Sequence, residues 1–140
     1  MPGIFRQFLI LCGLVAVGAC YSLFAGLATS PWAQPELAAG EIRWSDARAL
    51  EALWIDARPE ADYAAAHLPE AHSLNPENWE QQLADCIGAW LERPRTIIVY
   101  CNPQPCDASR EIAERLRQNL PDAEVYALRE GWTPASGGLE

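Results

Sequence analysis

The chain has 140 residues, enough for one domain, and its 19 acidic against 10 basic residues give a net charge of −9. Every acid lies at or beyond Glu36, so the part after the N-terminal segment is strongly anionic, which argues against nucleic acid and anionic lipid heads as its partners. All ten basic residues are Arg, which excludes lysine-based catalysis.

From Phe8 to Ala28 there is no charged residue. At about 1.5 Å rise per residue such a run crosses the roughly 30 Å hydrocarbon layer as a helix. Residues 1–30 therefore read as a membrane anchor or signal segment. An uncleaved anchor is favoured over a signal peptide cut after Gly26-Leu27-Ala28, because the apolar run exceeds the usual signal core. Lipoprotein processing before Cys20, in Val17-Gly18-Ala19-Cys20, ranks third, because Tyr21-Ser22-Leu23-Phe24 is too apolar for a tether. Arg6 lies on the amino-terminal side, whereas Glu36 and Glu41 precede any positive charge on the other. The positive-inside rule then places the later residues outside the membrane, periplasmic in a bacterium. Residues 31–40, with Pro31, Pro35 and Gly40, read as a linker.

The expected elements then alternate. Glu41 to Trp44 is a short strand, and Ser45-Asp46 caps a helix over Ala47 to Leu53. Leu53-Trp54-Ile55 is a buried strand ending in Asp56-Ala57-Arg58-Pro59, and Glu60 to Ala66 is a helical turn opened by Pro59. His67-Leu68-Pro69 breaks it, Ala71 to Leu74 is a further strand, and Asn75-Pro76 a turn. Glu77 to Trp90 is a helix with Trp79, Leu83, Cys86, Ile87 and Trp90 along one face. Thr96 to Tyr100 is the clearest strand, a continuous apolar run suited to burial on both faces of a parallel sheet. Asp107 to Leu120 is an amphipathic helix, Glu124 to Leu128 a closing strand, and residues 133–140 a frayed tail. This alternation implies an α/β domain over residues 41–132, a parallel sheet flanked by helices, with ligands at the carboxyl ends of the strands.

Cys101 stands at that edge. A thiol between a strand end and a helix start faces unpaired backbone N–H groups and the positive end of a helix dipole, and both favour the thiolate. The bland alternative is an inert buried thiol. Of the other cysteines, Cys12 and Cys20 fall in the apolar segment, Cys86 in a helix and Cys106 in the loop. No Cys and His spacing suggests zinc, and neither a metal nor a cofactor is expected. Cys106 could close a disulfide with Cys101 if their Cα atoms come within about 7 Å, or resolve an oxidised or persulfidated Cys101. It could equally be a small packed residue. His67 could act as a base but more readily fixes its loop by hydrogen bonds.

Several motifs together carry a resemblance to the rhodanese-like family. Asp56-Ala57-Arg58-Pro59 resembles its DxR segment, and Tyr63 with Ala66-His67-Leu68-Pro69-Glu70-Ala71 its Y…GHIPGA stretch. Val99-Tyr100-Cys101 resembles the strand leading into its active-site loop, and Gly131-Trp132 its closing GGW. The resemblance spans roughly residues 41–132. It implies a persulfide-forming Cys101 that accepts sulfane sulfur from a small donor and passes it to a thiol or protein acceptor, with Asp56 and Arg58 as structural supports.

The loop departs from that family's pattern. Cys101-Asn102-Pro103-Gln104-Pro105-Cys106-Asp107 has no basic residue and no glycine. Each proline removes an N–H donor, and Asp107 suits the helix dipole but repels a dianionic substrate. Arg110 is the nearest cation that could compensate, otherwise a solvated side chain. Ala66 and Glu130 stand where the family has glycine. A phosphatase reading needs an Arg closing the loop and ranks last. The first expectation is a sulfurtransferase in which the amides of Gln104, Cys106 and Asp107 stabilise the charge on Cys101, with Trp132 at the rim. The alternatives are a thiol redox protein using Cys101 and Cys106, and a non-catalytic binding domain.

Overall fold

The apolar run Thr96–Tyr100 forms the middle strand of a five-stranded, all-parallel sheet in the computed structural model of the chain, which describes residues 2–24, 36–103 and 107–136. The chain divides into two compact units, Met1–Glu36 and Leu37–Glu140. In the first, helix α1 (Pro2–Phe24) contains the stretch Gly3–Ser22, long and apolar enough to cross a membrane and with no residue buried. A signal sequence meets the same test.

In the second unit the chain runs through β1 (Glu41–Ile42), α2 (Trp44–Ala47), β2 (Ala52–Asp56), α3 (Glu60–Ala65) and β3 (His72–Ser73). A 3-10 turn (Pro76–Asn78), α4 (Trp79–Glu92), β4 (Thr96–Tyr100), α5 (Ala108–Asn119), β5 (Val125–Leu128) and a second 3-10 turn (Pro134–Ser136) follow. The strand order is β1-β5-β4-β2-β3. β2 and β4 pair over their full length, from Ala52 with Thr96 to Asp56 with Tyr100.

Side chains on a strand alternate between faces, and this alternation sorts the core into two layers. Leu53 and Ile55 of β2, with Ile97 and Val99 of β4, meet Cys86 of α4 and Ile112, Ala113 and Leu116 of α5. Trp54, Ile98 and Tyr100 point the other way and meet Ile42, Ala47, Leu68, Leu128 and Trp132. Each of the fully buried Leu and Ile side chains contributes about 1.5–3 kcal/mol by leaving water. Cys101 continues the Ile97–Val99 face and so lies under α5, while Tyr100 directs its ring to the opposite layer.

Several local expectations needed correction. The helix expected over Ala47 to Leu53 is instead the single turn Trp44–Ala47, because sheet pairing takes Ala52 and Leu53. Ser45 does not cap it; its hydroxyl bonds Asp46, and Arg43 holds the capping position without a side-chain bond to the helix's N–H groups. The strands expected from Glu41 to Trp44 and from Ala71 to Leu74 shrink to two residues each, both at sheet edges. The helix expected from Glu77 begins at Trp79, since Asn75 accepts from the backbone N–H groups of Glu77 and Asn78 and winds a 3-10 turn ahead of it. In the expected tail, Pro134–Ser136 forms a turn, and residues 137–140 lie outside the described residues.

Candidate functional site

Asp56 ends β2 and is wholly buried, so its carboxylate requires partners. Arg58, two residues on, supplies them: its backbone N–H donates to Oδ1 at 3.0 Å, its Nε to Oδ1 at 2.9 Å and its Nη2 to Oδ2 at 2.6 Å. Nη2 also donates to the carbonyl of Ala66 at 2.5 Å, which ties the end of β2 to the turn after α3. The Asp56 hydrogen bond, opposed by burial, holds the Arg58 guanidinium above its ordinary range. Arg58 is only 5% exposed and lies between two rings, 5.6 Å from the Tyr100 centroid and 5.0 Å from that of Trp132. Burial likewise pushes the Tyr100 phenol well above its usual range, while its oxygen accepts from the Leu68 N–H at 3.1 Å. Asp56 and Arg58 are therefore a buried brace on the sheet face opposite the cysteine.

The brace reaches Cys101 through the chain's C-terminal end. The Trp132 N–H donates to the Cys101 carbonyl at 2.8 Å, and the Trp132 ring meets Tyr100 edge-on at 5.7 Å. Gly131 holds a left-handed φ of 67°, and a Cβ there would sit 2.6 Å from the Asn102 carbonyl oxygen. Only glycine allows this approach. The residues around the nucleophile candidate are thus clamped by Gly131-Trp132, with Trp132 itself buried rather than at an open rim.

Cys101 is 3% exposed. Its Sγ lies 3.4 Å from the Ser109 hydroxyl and 3.4 Å from the Asn102 carbonyl oxygen. Ser109, in the first turn of α5, is itself 3% exposed, a polar group committed to the sulfur's surroundings. The carbonyl accepts from the thiol form, whereas the hydroxyl can rotate to donate to a charged sulfur. Ser109 was not singled out in the sequence; its place one residue into a helix after the cysteine loop is the available signal.

Asn102 turns outward, and its side-chain amide donates to the Asp62 carboxylate of α3 at 3.4 Å. Asp107 holds the N-cap position of α5 without capping it and pairs with Arg110, which also lies 3.9 Å from Glu41. Arg110 is thus committed to two carboxylates. His67 stacks on Tyr63 with centroids 4.1 Å apart and bonds the Tyr63 carbonyl through Nδ1 at 2.8 Å, a loop-fixing role. Cys86 is a core thiol, pushed up to about 12 by burial and by Asp85. Gln104 and Cys106 lie outside the described residues, as does any geometry linking Cys106 to Cys101. At the glycine-replaced positions, Ala66 is fully extended with φ −167°, which any residue adopts, and the Glu130 carboxylate accepts from the Trp44 N–H at 2.9 Å. Glu70 holds a φ of 59° that a glycine would hold more easily.

Residues 40–135 match the family model described as the rhodanese-like domain. No curated protein matches the chain significantly. Among solved structures, the BH2092 protein from Bacillus halodurans shares the fold, with a TM-score of 0.52 and 22% identity over 69% of this chain and 73% of that one.

Proposed function

The chain belongs to the rhodanese-like domain family, and on that premise we propose that it is a sulfurtransferase whose Cys101 carries sulfane sulfur as a persulfide. The Cys101 thiolate attacks the sulfane sulfur of a small donor. The donor's bond to that sulfur breaks, its electron pair leaves with the rest of the donor, and Cys101 becomes Cys–S–S⁻. A thiol or protein acceptor then attacks the outer sulfur, takes it, and regenerates the thiolate. The observation that carries the reading is the buried Ser109 hydroxyl 3.4 Å from Sγ at the junction of β4 and α5, where a donor and a helix dipole meet a developing negative sulfur.

The reading includes α1 as an uncleaved anchor that holds the domain outside the cytoplasmic membrane. The argument for that side is the charge asymmetry about the uncharged run from Phe8 to Ala28, with Arg6 before it and acids after.

The test is intact mass of the full chain in uncharged detergent, before and after a sulfane donor, with Cys101→Ser and Cys106→Ser beside it. The expected result is a gain of one sulfur that vanishes only with Cys101→Ser. A loss of two hydrogens requiring both cysteines would replace this reading with the redox one.

One observation favours a second reading, a non-catalytic binding domain. The Asn102 carbonyl faces Sγ, and Pro103 leaves the following peptide without an N–H to offer. Absence of sulfur loading from every donor, with the fold intact, would select it.

A further inference from the structure

The charges that described contacts place around the Cys101 loop do not favour an anion. Arg58, on the opposite sheet face, is bonded to Asp56 and enclosed by Tyr100 and Trp132, and it reaches Asp62 only through space, as the weakest of the interactions that raise its pKa. Arg110 is matched by Asp107 and Glu41, and Glu41 in turn holds Arg129 at 2.9 Å. From Asn102 to Ser109 the sequence offers one charge, Asp107, and no cation. What remains is Asp62. It is exposed on α3, takes part in none of the described ion pairs within 4 Å, and touches Asn102, the residue bonded to Cys101, through the 3.4 Å contact.

The geometry points to Asp62 as a residue that selects the sulfur donor by charge, so that Cys101 takes sulfur from neutral or cationic carriers and discriminates against anionic ones. This rests on the sulfurtransferase reading above. A remote carboxylate acts through space on any charged group approaching Asn102, so its effect scales with the donor's charge. In a water-like medium, at separations of several ångströms, each unit of charge changes the encounter by about threefold, and more where the protein displaces water. A dianion such as thiosulfate is disfavoured about tenfold or more on this ground. The bond changes are those already given. With a hydropersulfide donor R–S–SH, the Cys101 thiolate forms the new S–S bond, the donor's S–S bond breaks, and R–S⁻ leaves with the electron pair.

Two measurements on the full chain in uncharged detergent separate the charge selection from the sulfur chemistry. The first is the rate of Cys101 alkylation by neutral iodoacetamide against anionic iodoacetate, read by peptide mass and normalised to a small uncharged thiol. The wild-type ratio is expected to favour iodoacetamide about threefold, to fall toward the free-thiol value in Asp62→Asn and to invert in Asp62→Lys. Asp62→Asn keeps an oxygen that accepts from Asn102, so it removes charge without removing the contact. The second is sulfur loading from the hydropersulfides of cysteamine and mercaptoacetate, which share a reacting group and differ by two charges. A preference of about tenfold for the cysteamine donor is expected, abolished by Asp62→Asn and by high salt. A ratio that Asp62→Asn leaves unchanged in either experiment overturns the inference alone. Loading by neither donor, with alkylation still charge-selective, overturns the sulfurtransferase reading and the donor class with it.

Discussion

The backbone N–H of Trp132 donates to the carbonyl of Cys101 at 2.8 Å, so a residue beyond the last strand grips the proposed nucleophile. Gly131 makes that grip possible, because its left-handed φ and missing Cβ admit the Asn102 carbonyl. Gly131→Ala puts a methyl group against backbone oxygens of Cys101 and Asn102 in a conformation alanine resists. It is expected to cost about 1–3 kcal/mol of stability and to lower sulfur loading on Cys101 by an order of magnitude or more. Denaturant unfolding and intact mass check the two effects separately.

Ser109→Ala removes the hydroxyl beside Sγ and is expected to leave the fold intact. A hydrogen bond to a charged sulfur contributes about 1.5–3 kcal/mol, so the pH midpoint for Cys101 alkylation is expected to rise by about one unit or more. Ser109→Thr, which restores a hydroxyl, is expected to recover most of the shift. An unchanged midpoint in the alanine variant would reduce Ser109 to a packing residue.

Arg58→Ala leaves the Asp56 carboxylate buried without its counter-charge. Breaking such a pair is expected to cost about 3–5 kcal/mol, measurable as a fall in denaturant midpoint. Arg58→Lys should not rescue it, because an ammonium cannot serve both carboxylate oxygens and the Ala66 carbonyl in one plane.

Alkaline stability provides an independent check on the core. Cys86 rises from an ordinary value of 9.0 to about 12 through burial, and Tyr100 is raised as well by burial. Both groups are neutral when protonated, and the unfolded chain releases their protons at lower pH than the folded one. Their stabilisation is therefore complete below pH 9 and is lost as pH rises toward about 12. The expected outcome is a stability curve falling above pH 9 by up to about 1.4 kcal/mol per pH unit for each group, flattened in part by Cys86→Ala.

The sequence determined the architecture because its signals are local. The β-branched run of β4 can only be a buried strand, the apolar face of α5 can only cover a sheet, and Asp56, Arg58, Cys101 and Trp132 sit at element ends whose order follows from that alternation. The presence of the apolar helix α1 was equally legible, being a matter of length and charge, although it begins at Pro2, ahead of the uncharged run expected from Phe8. The short elements were not. α2 lost the C-terminal end of its expected range, Ala52 and Leu53, to the pairing of β2 with β4, and the 3-10 turn after Asn75 follows from a side-chain cap that periodicity does not register. Only the tertiary structure brought Ser109 to the cysteine and Asp62 to the neighbouring Asn102, and set Trp132 against the cysteine carbonyl. The Asp62 and Trp132 contacts join segments distant in the chain and the Ser109 contact spans the cysteine loop, and what decides them is the packing of α3, α5 and the C-terminal turn around one strand end rather than the preference of any residue for its neighbours.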